Sequence, residues 1–229
     1  MLEFRLESGS IRWMTNGKET TQLSEWAGEM GKLYTDRNPQ SVEEFDRVYL
    51  KDYGVTRTSM NDEFLGGVEK KMNVLEVGAN IGLELELLRR MGFPDLTGID
   101  INEHAVAQAK KIHPEVRVLQ GSGFALPFDD ASYDLVFTSG VLIHISPADI
   151  QDIMREMHRV SRRYIWGFEY YAPAHTEVVY RGNKNLLWKA DFCKMFLDSF
   201  PGLRVIKEKK YAMTAGVNVS QMYLLEKTA

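Results

Sequence analysis

The segment Val74 to Gly82 reads VLEVGANIG, and Asp100 follows Gly78 by 22 positions. An apolar strand carrying Glu76, a tight glycine turn and then a helix would bring bare backbone N–H groups to a sheet edge, where a polar ligand can approach closely. Gly78 suits the turn and Gly82 the entry to the helix, with Ala79 and Asn80 between them. An acid at the end of the next strand, about 20 residues on, accepts hydrogen bonds from ribose hydroxyls. Asp100 holds that place beside Ile101; its other reading is a cap for a helix beginning near Asn102. A dinucleotide loop would read GxGxxG, whereas GANIGL puts Asn80 in the middle-glycine position and has no third glycine. The loop therefore argues against a pyrophosphate and for a smaller ligand with an amino-acid tail.

These residues need a scaffold. From Val74 onward, short apolar runs alternate with segments of helical periodicity, the pattern of βαβ units feeding a parallel sheet. The spacing predicts strands at Asn73–Val77, Leu96–Asp100, Val116–Gln120, Tyr133–Thr138 and Tyr164–Phe168. Helices are expected over Ile81–Met91, over Glu103–Ile112, from Pro147 to about Val160, and over Leu186–Phe200. Leu203–Met213 and Val219–Glu226 read as strands joined by TAGVN, an antiparallel hairpin where a plain dinucleotide-binding sheet would continue with a sixth βα unit. The fold expected is α/β, a Rossmann-like seven-stranded sheet of five parallel strands plus a C-terminal antiparallel hairpin. Residues 1–68 are expected to form an N-terminal extension and helical cap over the carboxyl edge of the sheet, with a possible short hairpin at Leu2–Met14. Residues 69–229 are expected to form one compact ligand-binding domain.

Composition narrows the partners. A formal net charge of -4 and a pI near 5.8 give no general attraction to phosphate backbones, so no nucleic-acid partner is expected. The basic run KEKK at Lys207–Lys210 reads first as the solvated face of a late strand. One cysteine, Cys193, is too few for a disulfide or a cysteine-rich metal site, and no metal is expected. The acidic start MLEFRLESGS and the lack of a long apolar run point to a cytoplasmic protein with no membrane partner.

The third predicted strand runs into Gly121-Ser122-Gly123-Phe124, and the fourth into Ser139-Gly140-Val141-Leu142-Ile143-His144. With VLEVGANIG and Asp100, these landmarks resemble the class I S-adenosylmethionine-dependent methyltransferases across Asn73 to about Phe168. The resemblance implies S-adenosyl-L-methionine as cofactor. Its methionine end would be held by Glu76, Gly78, Ala79, Asn80 and Gly82, its ribose by Asp100 and Ile101, and its adenine bordered by Ser122, Gly123 and Phe124, with Ser139 nearby. Many relatives read GDA where this chain reads Gly121-Ser122-Gly123, so a serine or backbone contact would replace the usual aspartate.

WAGEMGKLYTDRN at Trp26–Asn38, SGVLIHISP, EYY at Glu169–Tyr171, YRG at Tyr180–Gly182 and WKADF at Trp188–Phe192 look like the methylases associated with pseudaminic acid biosynthesis. That resemblance implies a small polar, anionic acceptor of the nonulosonic sugar or nucleotide-sugar type, methylated on oxygen. Other classes stay open: an RNA or protein methyltransferase, or a cofactor-binding protein without catalysis.

Tyr34 and Arg37, three apart on a helix, could reach the carboxylate of the methionine end; Arg37 could equally pair with Asp36 or Glu43. Glu169, Tyr170, Tyr171, His175, Tyr180 and Arg181 form the expected acceptor region, with tyrosine faces for a sugar ring and Arg181 for a phosphate or carboxylate. Tyr170 could instead be core. The catalytic candidates are His144, Tyr34 and Tyr171. His144 would deprotonate a hydroxyl, or else fix its loop.

Overall fold

The computed structural model describes residues 20–228. The possible hairpin at Leu2–Met14 lies outside the described residues.

Four helices come first: α1 (Thr21–Ala27), α2 (Glu29–Arg37), α3 (Val42–Tyr53) and α4 (Arg57–Leu65). Each of α1, α3 and α4 begins on a hydroxyl that accepts a backbone N–H of the first turn, from Thr20, Ser41 and Thr56 respectively. Gly28 interrupts the run between α1 and α2, and Gly54, at φ 72, closes α3 in the left-handed conformation.

Alternation follows in β1 (Asn73–Val77), α5 (Leu83–Arg90), β2 (Asp95–Asp100), α6 (Glu103–Ile112), β3 (Arg117–Gln120), β4 (Tyr133–Ser139), α7 (Ile150–Val160) and β5 (Ser161–Tyr170). A two-stranded excursion, β6 (Thr176–Glu177) and β7 (Trp188–Lys189), precedes α8 (Phe192–Ser199) and the closing pair β8 (Leu203–Ala212) and β9 (Val219–Lys227). The main sheet has the order β3-β2-β1-β4-β5-β9-β8. Its first five strands are parallel, and β9 runs antiparallel to both β5 and β8. The seven-stranded sheet with its closing hairpin is as the sequence pattern led us to expect.

Successive strand residues point to opposite faces, so the sheet is covered on both sides. Leu75, Val77, Val136 and Ile165 pack under α7 and α8, with Met154, Met157, Phe192 and Phe196. Val74, Leu135, Phe137 and Trp166 pack under α4, α5 and α6, with Met60, Phe64, Leu85 and Val106.

The expected helix over Leu186–Phe200 is corrected. Only Phe192–Ser199 is helical, and Trp188–Lys189 pairs antiparallel with Thr176–Glu177. Asp191 sets the boundary, because its side chain accepts the Lys194 N–H as an N-cap. The helix after the glycine loop likewise starts at Leu83 rather than Ile81, and α7 starts at Ile150, beyond Pro147. In KEKK, Lys207 and Lys209 both pair with Glu63 of α4, so the run fastens the edge strand to the cap.

Candidate active site

A cavity of about 400 Å³ opens where the carboxyl ends of β1, β2, β4 and β5 meet the cap helices. Its floor is the loop after β1. Gly78 stands at φ 78, and a Cβ there would lie 2.5 Å from Val141 Cγ2, so backbone alone fits between the loop and the turn after β4. Asn80, at φ 48, keeps the left-handed conformation that a middle glycine would have supplied, which an asparagine tolerates better than most residues. Its N–H donates to Asp100 Oδ2 at 2.7 Å, and its Oδ1 accepts from the Thr35 hydroxyl of α2 at 3.1 Å.

Asp100 Oδ1 accepts the Asn102 N–H at 2.8 Å. The cap of α6 is Asn102 itself, whose side chain accepts the Ala105 N–H, so Asp100 is not the helix cap. It stays directed at the cavity, with burial raising its carboxyl pKa against these two amide bonds. Ile101, Gly121, Gly123 and Phe124 extend the wall beyond it. Ser122 and Gly82 do not line the cavity. The Ser122 hydroxyl accepts the Phe124 N–H at 3.2 Å, which turns it into its own loop. Gly82, at φ 75, carries a left-handed helix entry packed on Val116 and Val118.

Beneath the loop lies a buried charge network that the motifs did not reveal. Arg57 of α4 is fully buried; its Nε reaches Glu84 Oε2 at 3.1 Å, its Nη1 the Tyr49 hydroxyl at 3.2 Å and its Nη2 Ser139 Oγ at 3.1 Å. The guanidinium lies 4.4 Å from the centroid of the Phe168 ring. Asn61 also donates to Glu84. Glu76 is 3% exposed and lines the cavity, and its Oε2 has no partner among the described residues. Burial, with Glu84 nearby, pushes its carboxyl pKa well up.

The opposite wall is aromatic. The Trp26 ring centroid lies 4.3 Å from His144, 5.4 Å from Tyr34 and 6.3 Å from Tyr180. Tyr49, Tyr53, Tyr170 and Phe45 continue this wall toward α3. Burial pushes the Tyr34 hydroxyl up to about 12, which leaves a neutral phenol at ordinary pH. His144 is buried and bonds the Leu186 carbonyl through Nδ1 at 2.7 Å, the geometry of a donated N–H that leaves Nε2 as an acceptor. Burial pulls its pKa down to about 4, so the ring is neutral.

Several expected contacts lie elsewhere. Arg37 pairs with neither Asp36 nor Glu43 and does not line the cavity; its Nη2 donates to the Tyr180 hydroxyl at 2.8 Å, with its guanidinium 5.0 Å from the Tyr34 ring. Asp36 is engaged by His104 and Glu43 by Arg90. Tyr171, His175 and Arg181 are also off the cavity lining. Tyr171 leaves the sheet beside Lys210, whose Nζ lies 3.9 Å from its ring centroid. His175 is exposed, and Arg181, at φ 51, is the first residue of the tight turn closed by reciprocal Tyr180 and Asn183 backbone bonds. Glu169 lines the cavity but is 1% exposed, and its carboxylate accepts the N–H groups of Val141, Leu142 and Ile143. It shapes the turn that carries His144. Tyr170 is half-buried: it lines the cavity and also packs on the core cluster below.

Residues 75–164 match the family described as "Methyltransferase domain". Over that stretch, from within β1 into β5, the chain is similar to methyltransferase domains. Among curated proteins, an uncharacterized methyltransferase of Synechocystis sp. is 37% identical over 65 residues, 28% of this chain and 31% of that protein. The chain thus spans less than a third of that relative's length. Among solved structures, the PH0226 protein of Pyrococcus horikoshii superposes with a TM-score of 0.66 at 15% identity, covering 88% of this chain and 99% of that one. A Burkholderia thailandensis 1,6-didemethyltoxoflavin-N1-methyltransferase, with 1,6-didemethyltoxoflavin and S-adenosylhomocysteine bound, gives 0.59 at 16% identity, covering 75% of this chain and 76% of that one. The chain therefore has the Rossmann-like fold of these structures. No helix among the described residues is long and apolar enough to cross a membrane.

Proposed function

We propose that the protein transfers a methyl group from S-adenosyl-L-methionine to a small polar acceptor. The observation that carries the reading is the cradle between Gly78 and Asp100: a side-chain-free turn, an acid at the end of β2, and beside them the buried, unpartnered Oε2 of Glu76. An orphaned buried carboxyl oxygen is costly unless a ligand meets it, and the ammonium of an amino-acid tail would do so while favouring the ionised form that burial alone disfavours. Glu76, Gly78, Ala79 and Asn80 would hold that tail, Asp100 and Ile101 the ribose, and Gly123 and Phe124 the adenine.

Bound there, the cofactor supplies an electrophilic methyl group for in-line displacement. The chain's own task is to align the acceptor and keep water out. Ala79, Ile81, Ile99 and the Trp26–Tyr34–Tyr180 wall serve the second purpose. His144 serves the first: with its tautomer fixed by Leu186, Nε2 can accept the proton of an acceptor hydroxyl. A base weakened by burial suffices, because a hydroxyl becomes strongly acidic as its oxygen gains a bond to the methyl carbon.

The acceptor we favour is a sugar or nucleotide-sugar of the nonulosonic type, methylated on oxygen and seated against the tyrosine wall. Among the described lining residues the acidic side chains are Asp52, Glu76, Glu84, Asp100 and Glu169, with no lysine or arginine. An anionic group on the acceptor would therefore have to project outward, toward Arg37 and Arg181 flanking Tyr180. Calorimetry with S-adenosylmethionine and S-adenosylhomocysteine tests the cofactor; a wild-type protein that binds neither sinks the reading. Transfer of labelled methyl to a panel of sugars, nucleotide-sugars and tRNA tests the acceptor, and label in tRNA alone would replace the small molecule by a macromolecule.

A further inference from the structure

Asn102 makes contacts in three directions. Its backbone N–H donates to Asp100, its Oδ1 caps α6 through the Ala105 N–H at 3.1 Å, and its Nδ2 donates to the carbonyls of Trp26 at 2.9 Å and Gly28 at 3.1 Å. The side chain is 4% exposed. One amide thus ties the ribose-site acid at the end of β2 to the break between α1 and α2. Those helices carry the Trp26 and Tyr34 rings of the acceptor wall.

The neighbouring sequence makes room for this tie. A Cβ on Gly31 would lie 2.0 Å from the Trp26 carbonyl oxygen and 2.6 Å from Asn102 Nδ2, so a side chain there would displace the amide. Two further contacts run parallel: the Thr35 hydroxyl to Asn80 Oδ1, and Asp36 to His104 at 2.6 Å. The first two anchor α1–α2 to the loops after β2 and β1, and the third to the first turn of α6, rather than to the hydrophobic core. The helices contribute few residues to that core, with Gln22, Gly31 and Thr35 their buried positions. The indole N–H of Trp26 is buried without a partner among the described residues, a cost that the docked position must offset.

We infer that Asn102 is a positioning residue that transmits occupancy of the cofactor site at Asp100 to the Trp26–Tyr34 wall, so that the acceptor site is completed only once the cofactor is in place. The inference rests on the proposed function. Cofactor that fixes the Asp100 carboxyl fixes the Asn102 backbone one hydrogen bond away, and with it both carbonyl contacts to α1–α2. A weakly cored helix pair held by such contacts opens locally at low cost, so tightening them is read directly as slower amide exchange.

The test is hydrogen exchange on the full chain, with and without saturating S-adenosylhomocysteine, so that changes in affinity drop out. In the wild type, α2 amides should exchange about tenfold more slowly with the ligand bound, the size expected when a few hydrogen bonds tighten. Asn102→Ser keeps a capping hydroxyl for α6 but cannot reach both carbonyls, and should lose that ligand-dependent slowing. Asn102→Asp keeps the cap, cannot donate, and should lose it too. Wild-type protein that binds S-adenosylhomocysteine without slowing α2 overturns the inference, as does either variant that keeps the full effect. Failure to bind S-adenosylhomocysteine at all is a failure of the cofactor assignment, and calorimetry reads it separately.

Discussion

Asp100 Oδ2 accepts the Asn80 N–H at 2.7 Å, across 20 positions of sequence, so the acid at the end of β2 sets the conformation of the loop after β1. One carboxylate shapes the turn and faces the cavity where the ribose is proposed to lie. Asp100→Ala should therefore lower affinity for S-adenosylhomocysteine by about 100-fold, as expected for the loss of hydrogen bonds to a charged group worth about 1.5–3 kcal/mol each. Titration calorimetry checks this, and an unchanged Kd would remove Asp100 from the site.

The Arg57–Glu84 pair predicts a stability effect. Glu84 is 4% exposed, and replacing Arg57 by Met strands its carboxylate in the interior. Breaking a buried pair from one side costs about 3–5 kcal/mol, which for a domain of this size lowers Tm by roughly 6–20 °C. Removing both charges, as in Arg57→Met with Glu84→Leu, should cost less than Arg57→Met alone. Thermal unfolding of the single and double variants decides, and a double variant less stable than the single one would contradict the account.

The scaffold was legible because it depends on local pattern. Each strand is one apolar run, each helix one periodic stretch, and Gly78, Asn80 and Asp100 lie within two successive βα units. Trp26, Tyr49, Arg57 and Asn102 were not legible as site residues, because their partners are remote: Arg57 meets Ser139 across 82 positions, and Asn102 meets Trp26 across 76. An arginine in a short polar helix carries no sign of burial. Arg181 and Tyr171 stand next to cavity residues in sequence, but the tight turn at Arg181–Gly182 and the end of β5 before Tyr171 leave them off the cavity lining. The Asp191 cap was a local signal within reach, outweighed by the apolar run Leu186–Trp188 ahead of it.

For a hydroxyl acceptor, His144→Gln should lower kcat by about 10²–10⁴-fold, the usual contribution of a positioned base, with the Kd for S-adenosylhomocysteine nearly unchanged. Because burial holds the His144 pKa at about 4, protonation of this ring should leave no inflection near the ordinary histidine value. Steady-state kinetics against pH tests both halves. A full-speed variant would assign His144 to holding its loop through Leu186 rather than to proton transfer.

Glu169 gives the clearest dependence of stability on pH. Burial raises its carboxyl to about 7 in the folded chain, against an ordinary value of 4.5 that the unfolded chain should show. A raised folded pKa means that folding favours the protonated form. The resulting stabilisation is complete below the unfolded value and disappears as pH rises through about 7. Its full size is on the order of 3 kcal/mol, from the pKa difference. Glu169→Gln cannot ionise, so its Tm relative to wild type should climb as pH goes from about 5 to about 8, whatever the offset between the two proteins at the acid end. Melting curves across that range measure the difference, and two parallel curves would show that the carboxylate, bonded to the amides of Val141, Leu142 and Ile143, titrates in the fold as it does in the open chain.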